Sequence, residues 1–500
     1  MKFHPLLTAA LLSASVGVAF AETATKPVSL DDCVALALKR NLGIRISSFG
    51  PRFSRLTLSS DYAPYDPSFT AGVSQSFRSF PPTPSGTVTN SFVPPSSTSW
   101  SDNYSAGLGG YLPTGLQYSF SGNVTRGQST LLPADVTGAA LYSPGANVNL
   151  TQPLLKNMWI DATRLNISFD KLGVKTSEEV VRAQILDTLL SVEQSYYGLI
   201  SALENVRVQQ KALEVSERFL FETRKRVEVG SLAPLDAKQA ESEVARNKAA
   251  LVTALQNAGD AERLLKGLID DDFAASADIM LTPTAKLENI PSVQSRANSW
   301  GRAFEFRPDY HEQKFGLLQQ KLNLRFTRNQ MYPQLDLTGS YGVGGNELTL
   351  GGSILDLGQR AYPNYSWGLR FSIPLSNLSA RNAYKQAKIK QEQLLLQFKQ
   401  LEQTIMIAVD NDIRAIEGYR EGMVATKEAR VYAEAALDAE QKKLESGKST
   451  NYQVLQLQRD LTTAEKNEID ALANYNKALA QLAHDEGSTL DRLKVNLDIH

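Results

Sequence analysis

The 500-residue chain has one cysteine, four histidines and no run of about 18 apolar residues, the length a membrane-crossing helix needs. A single thiol, Cys33, excludes any internal disulfide. His4, His311, His484 and His500 are far apart, so with one cysteine they make no standard metal cluster. An excess of positive charge is also missing. Against 52 Lys and Arg stand 53 Asp and Glu, which leaves nothing to favour nucleic acid. No Gly-x-Ser-x-Gly elbow exists to hold a nucleophile. Asp270-Asp271-Asp272 lacks the alternating spacing and turn glycine of a calcium loop, and reads as a solvated helix end. Gly342-x-Gly344-Gly345 leads into another glycine-rich loop instead of a helix, which argues against a phosphate loop. Carboxylates at helical spacing read as solvated faces. No catalytic residue, metal or cofactor is expected.

What is present begins with an export signal. Lys2 supplies a positive start, Leu6 to Val18 an apolar stretch, and Ala19-Phe20-Ala21 a small-residue cleavage site. Residues 1–21 therefore read as a signal peptide, with the mature chain starting near Glu22. An N-terminal anchor is the alternative, for which the apolar run is short. Cys33 lies well past that site, within Leu30-Asp31-Asp32-Cys33, a poor lipoprotein context. It is expected to be a packed small residue.

Proline usage divides the rest. It is absent after Pro374, and Pro234 alone interrupts the stretch from Pro153 to Pro283. Val181, Ile185, Val192, Tyr196, Leu199, Leu203 and Val206 recur at helical spacing there, as do Leu472, Tyr475, Leu479 and Leu482. A helix from Ser177 to Val229 would be about 80 Å long at 1.5 Å per residue. Helices of that length pack lengthwise, as coiled coils or helical barrels.

The segments before these helices differ in kind. From Pro67 to Leu155 the charges are Arg78, Asp102, Arg126 and Asp135. Leu116, Tyr118, Phe120, Gly122 and Val124 alternate with Gln117, Ser119, Ser121, Asn123 and Thr125. The same period of two returns at Ala146–Thr151, Leu335–Val343 and Tyr365–Ile373. Strands of about ten residues, apolar on one face and small and polar on the other, suit a membrane β-barrel. A soluble antiparallel sandwich also alternates; the long helices and the export signal favour the barrel.

The sequence also repeats. Ala35–Pro67 matches Gly301–Pro333 at an offset of 266, and Arg226–Gly230 matches Lys443–Gly447 at 217. The first repeat is read as residues 22–290, with an N-terminal helix, strands about 68–153 and a helical hairpin about 160–268. The second is 291–490, with a helix about 298–330, strands about 334–374 and a hairpin about 378–485. Residues 491–500 are a tail.

Four motifs stand in this order: Ser29–Asn41, Leu150-Thr151-Gln152-Pro153-Leu154, Val192-x-x-x-Tyr196-Tyr197-x-Leu199 and Val229-Gly230-Ser231-Leu232. Set in two repeats behind a signal peptide, they resemble the TolC family of outer-membrane export channels across nearly the whole mature chain. The resemblance implies an α+β membrane protein acting as a homotrimer. Each chain would give four strands to a shared β-barrel in outer-membrane lipid, continued into a long periplasmic α-helical barrel. The tips at Val229-Gly230-Ser231-Leu232 and Ser446-Gly447-Lys448 would meet a periplasmic adaptor coupled to an inner-membrane pump or exporter. The implied role is a passive exit duct for efflux or type I secretion. A structural or adhesive envelope protein built on coiled coils is the alternative, and a membrane-embedded enzyme the third reading.

Two departures matter. Six segments alternate, not four, and the extra pair, about 101–126, flanks the turn Leu112-Pro113-Thr114-Gly115; it forms either an extracellular hairpin or a wider barrel. The best-known members of that family close the periplasmic aperture with carboxylates just after the tip glycine, helped by an arginine. Here Asp236 lies six residues after Gly230, but Gln453 and Gln456 lie six and nine after Gly447, and Ser449 stands where the arginine would. Asp236 equally suits the start of a helix, where a carboxylate meets the positive dipole end.

Overall fold

The computed structural model describes residues 25–81, 97–129, 139–285, 287 and 295–495. The expected signal peptide and residues 496–500 of the tail lie outside them. The chain divides into two compact units. Among the described residues, one unit lies within 25–45, 185–299 and 408–495, and the other within 46–184 and 300–407.

The helices of the first half are α1 (Leu30–Arg40), α2 (Leu42–Ser47), α3 (Phe49–Ser60), α4 (Ala162–Glu228), α5 (Pro234–Ile269) and α6 (Phe273–Ser276). Then follow α7 (Arg296–Phe306), α8 (Pro308–Asn329), α9 (Leu350–Gln359), α10 (Leu378–Glu445), α11 (Asn451–Asp485) and α12 (Thr489–Arg492). The strands are β1 (Thr25–Val28), β2 (Ser68–Phe80), β3 (Ser97–Tyr111) and β4 (Gln117–Ser129). After these come β5 (Leu141–Pro153), β6 (Met280–Pro283), β7 (Gln334–Gly344) and β8 (Tyr362–Ser372).

The proline-free regions are helices of 67 residues (α4) and 68 residues (α10), each about 100 Å long at 1.5 Å per residue. Asp161 starts α4 by accepting the Arg164 N–H at 2.7 Å, an N-cap bond. The stretch read as one helix over 298–330 breaks into α7 and α8. Pro308 lacks the N–H that would continue α7, and is suited to the first position of a new helix.

In the first unit, Val192, Tyr196 and Leu199 of α4 are fully buried against Val28, Cys33, Ala37, Leu265 and Leu281. β1 pairs in parallel with β6, and the Tyr196 hydroxyl donates to the Val28 carbonyl at 3.2 Å. Cys33 is completely buried, and burial pushes its thiol up to about 12, which leaves it inert. Glu193, 1 % exposed, is paired with Arg492 of α12; burial raises its carboxyl above the usual range although Arg492 opposes the shift.

At the end of α11, His484 Nδ1 lies 3.0 Å from Asp485 and Nε2 lies 2.7 Å from Asp187 of α4. Burial works against the imidazolium, but bonds to Asp485 and Asp187 outweigh it and raise the imidazole above its ordinary value. Burial likewise opposes ionised Asp485, yet His484 and Asp412 hold its carboxyl down to about 2. A raised imidazole adds stability that is complete below its unfolded value of 6.5 and lost as pH climbs through the folded one. The depressed carboxyl adds stability above 3.8 that is lost as pH falls towards 2. Asp187 is 62 % exposed, so the bond to Asp485 carries most of the effect. His484→Gln is expected to remove about 1.5–3 kcal/mol at pH 6 and to flatten the fall in unfolding temperature from pH 6.5 to 9. Equal slopes in parent and variant would refute the role given to His484.

In the second unit, six strands form one antiparallel sheet in the order β2-β3-β4-β5-β7-β8. Pairing across it places Phe69, Leu108, Phe120, Val148, Tyr341 and Tyr365 in one row on one face. The adjacent row on the other face is Ser68, Gly109, Ser119, Asn149, Ser340 and Ser366. The 101–126 pair lies inside this sheet, bonded on both sides. Its turn, closed by Gly115 at φ +84°, is on the rim where β5 leaves for α4 and β7 enters from α8. It is not a hairpin projecting from the opposite, loop-bearing rim.

Candidate docking tips and aperture

Both long helical hairpins turn through the same backbone device. α4 ends with Gly230 at φ +76°, where the Gly230 N–H donates to Val227 at 3.0 Å and the Ser231 N–H donates to Arg226 at 2.9 Å. α10 ends with Gly447 at φ +71°, with the Gly447 N–H on Leu444 at 3.1 Å and the Lys448 N–H on Lys443 at 2.8 Å. This is the Schellman arrangement, which satisfies carbonyls left over at a helix end. A Cβ on either glycine would meet nothing within 4 Å, so the positive φ and not crowding selects glycine. The tips are solvent-facing: Val229 is 79 % exposed, Gly230, Ser231, Ser446, Gly447 and Lys448 are exposed, and Leu232 is half-buried.

The helices that return from the tips start alike. Asp236 occupies the third position of α5, behind Pro234 at the first, and its carboxylate accepts the Ala233 N–H at 3.1 Å. Gln453 occupies the third position of α11, where Thr450 is the cap and accepts the Gln453 N–H at 3.4 Å. Its side-chain oxygen lies 3.1 Å from the Ser449 hydroxyl. Ser449 also lies 2.6 Å from Glu440, tying the start of α11 to the end of α10. Lys443 and then Ser449 hold the Glu440 carboxyl below the usual range. Asp236 and Gln453 are thus engaged first at their own helix starts, while remaining half-buried and exposed respectively.

Gln456 leads to a group that reading the sequence missed. Its amide donates to Asp460 at 3.1 Å and accepts from Arg459 at 3.4 Å. Arg459 in turn binds Glu243 of α5 through Nε at 2.9 Å, and Arg246 approaches the same carboxylate at 3.5 Å. The Glu243 side chain is 3 % exposed, against 30 % for Arg459. An ion pair with a buried carboxylate and a half-buried guanidinium therefore joins the two returning helices, beside a cavity of about 350 Å³. One signal existed: Glu243 lies 13 residues after Gly230 and Arg459 lies 12 after Gly447, opposite charges at near-equivalent positions. Among the described residues no group of His, Cys, Asp and Glu could hold a metal ion, and no helix is long and apolar enough to cross a membrane.

The family profile described as "Outer membrane efflux protein" matches residues 115–269 and 301–485. The chain belongs to that family. It is 22 % identical over 351 residues to the outer membrane efflux protein BepC of Brucella suis, covering 70 % of this chain and 72 % of that one. To the outer membrane protein TolC of Escherichia coli it is 24 % identical over 369 residues, 70 % of each chain. Among solved structures, the CmeC outer membrane channel of Campylobacter jejuni shares the fold at a TM-score of 0.64 and 17 % identity, over 94 % of this chain and 90 % of that one. As a member of the outer membrane efflux protein family, the chain is a protein of the Gram-negative-type outer membrane.

Proposed function

We propose that this efflux-family chain is the exit duct of a tripartite efflux or type I secretion system. It is a passive conduit from a periplasmic adaptor and inner-membrane transporter to the outside. Three copies assemble, their sheets closing one β-barrel in outer-membrane lipid and their long helices forming a periplasmic helical barrel. The two sequence repeats, 22–290 and 291–490, each contribute strands and one helical hairpin. The observation that carries the reading is the two-faced sheet. An exposed row of aromatic and aliphatic side chains on one face and Ser, Asn, Gly and Thr on the other fits lipid outside and water inside.

At the tips, exposed Val229 and Lys448 are the side chains available to the adaptor, and the glycines shape the turn. Glycine-to-bulky changes would strain the positive-φ positions, so the sharper test leaves the backbone alone. Val229→Asp with Lys448→Glu is expected to leave a detergent-stable trimer by light scattering, while adaptor capture and export fall at least about tenfold, the loss of some 1.4 kcal/mol of binding. A monodisperse monomer of the parent would sink the duct. Full export by the double variant would sink tip docking.

A further inference from the structure

We infer that each chain contributes six strands and not four, so that three copies close an 18-stranded barrel through a β2–β8 seam. The inference rests on the proposed duct and adds the size and the joint of its wall.

The β3–β4 hairpin is built as wall. Thirteen residue pairs join β2 to β3 and thirteen join β3 to β4, at least as many as the eleven between β4 and β5 or between β7 and β8. β2, β3 and β4 have 13, 15 and 13 residues, enough for the 9–11 that a tilted strand needs to cross a bilayer. Their faces continue those of the other strands. Phe69, Val73 and Phe77 of β2 stand opposite Leu108, Tyr104 and Trp100 of β3, in rows that run on to Phe120 and Val124. Between them the other face carries Thr70, Gly72, Ser74 and Ser76. A hairpin outside the wall would have no reason to keep this register, because a slip of one residue would reverse every side chain.

The charges on the apolar face fit the same placement. Asp102 of β3 accepts from Gln75 of β2 at 2.9 Å and lies 3.6 Å from Arg126 of β4, so the polar groups of three adjacent strands satisfy one another. They lie towards the loop rim, one pair short of the Phe77–Trp100 edge contact, whose ring centroids are 4.8 Å apart. Aromatic side chains with a paired charge suit the headgroup boundary of a bilayer.

The seam follows from the free edges. β2 and β8 end the sheet, and each leaves one row of backbone N–H and C=O groups without a partner inside it. In lipid each such group costs several kcal/mol, so the edges must pair. Six antiparallel strands is an even number, so β8 runs opposite to β2 and the β2 of a second copy can extend the ladder. Six strands alone cannot enclose a lumen, since eight are filled by side chains. With strands about 4.8 Å apart and tilted about 40°, eighteen give a backbone diameter of roughly 36 Å, against roughly 24 Å for twelve. Conductance does not report this width if the periplasmic aperture is narrower, so the test must see the wall.

The experiment is electron cryomicroscopy of the parent protein in lipid nanodiscs, with photocrosslinking at the seam. Eighteen strands, together with an inter-subunit adduct from a photoreactive side chain at Val73 that maps to residues 362–372, is the expected result. A trimer with twelve strands, whether Val73 or Val124 crosslinks to β8, would overturn the inference and leave the duct standing. A protein with no closed barrel would overturn both.

Discussion

Arg459→Ala is expected to destabilise the paired hairpins by about 3–5 kcal/mol and to leave the channel leaky when no transporter is engaged. The magnitude comes from what remains behind. Glu243 is 3 % exposed, and without Arg459 its carboxylate keeps Arg246, which is 54 % exposed and 3.5 Å away. A buried charge deprived of its partner costs more than the pair was worth, because its desolvation is no longer offset. The position matters as much as the energy. The pair joins α5 to α11, and Arg459 also holds Gln456, three residues away and closer to the tip. Releasing it frees the stretch of α11 that bears the proposed aperture. Glu243→Leu with Arg459→Leu separates stability from gating, since an apolar pair of similar volume is often neutral or stabilising. That variant should recover its unfolding temperature yet lose the tie to Gln456, and so stay leaky. Unfolding temperature and single-channel conductance in planar bilayers check both. Parent-like values of both for Arg459→Ala would show that the pair neither braces nor gates.

The same residues show what could be read beforehand. The strand faces were legible because alternation of period two depends on neighbours in sequence, as in Leu116 to Thr125. The tips were legible because a helix that must reverse needs a residue at positive φ, and Gly230 and Gly447 each end a long periodic run. The break at Pro308 was available from the missing N–H but was merged into one helix by the periodicity on either side. Whether 101–126 joined the sheet was not decidable, since Pro113 and Gly115 announce a turn but not the rim it lies on or the strands beside it. Glu243 and Arg459 are 216 residues apart, and their meeting depends on the packing register of two helices. Gln453 was read for its distance from Gly447. The spacing Thr450-Asn451-Tyr452-Gln453 is also that of a helix-capping sequence, and its side chain lies beside Ser449 and Thr450. That local role does not compete with lining an aperture. It fixes the rotamer of a side chain that would line one.

Feeble block by divalent cations added from the periplasmic side is therefore expected for the parent, and potent block for Gln453→Asp with Gln456→Asp. In the proposed trimer, three copies of an amide would make a neutral ring that lacks the dense negative field needed to concentrate a cation. Closure by such a ring rests on hydrogen bonds of about 0.5–1.5 kcal/mol each. The aspartate at 453 should fold without strain. Asp236 holds the equivalent third position of α5 and accepts the Ala233 N–H at 3.1 Å, and a carboxylate in a first turn also meets the positive end of the helix dipole. Each unit-charge pair at 4 Å in water is worth about 1 kcal/mol, and more for a divalent ion. Three symmetric carboxylates thus contribute at least about 3 kcal/mol, a gain in cation affinity of roughly a hundredfold. The change at 456 should add less, because the new carboxylate would face Asp460, now 3.1 Å from the amide, as well as Arg459. The single variant Gln453→Asp should consequently show most of the effect, and raising salt to about 1 M, where the screening length is about 3 Å, should weaken it. Titration of cobalt or magnesium against single-channel current reads the affinity directly. Potent block of the parent, or none of the double variant, would mean that Gln453 and Gln456 face away from the conduction path.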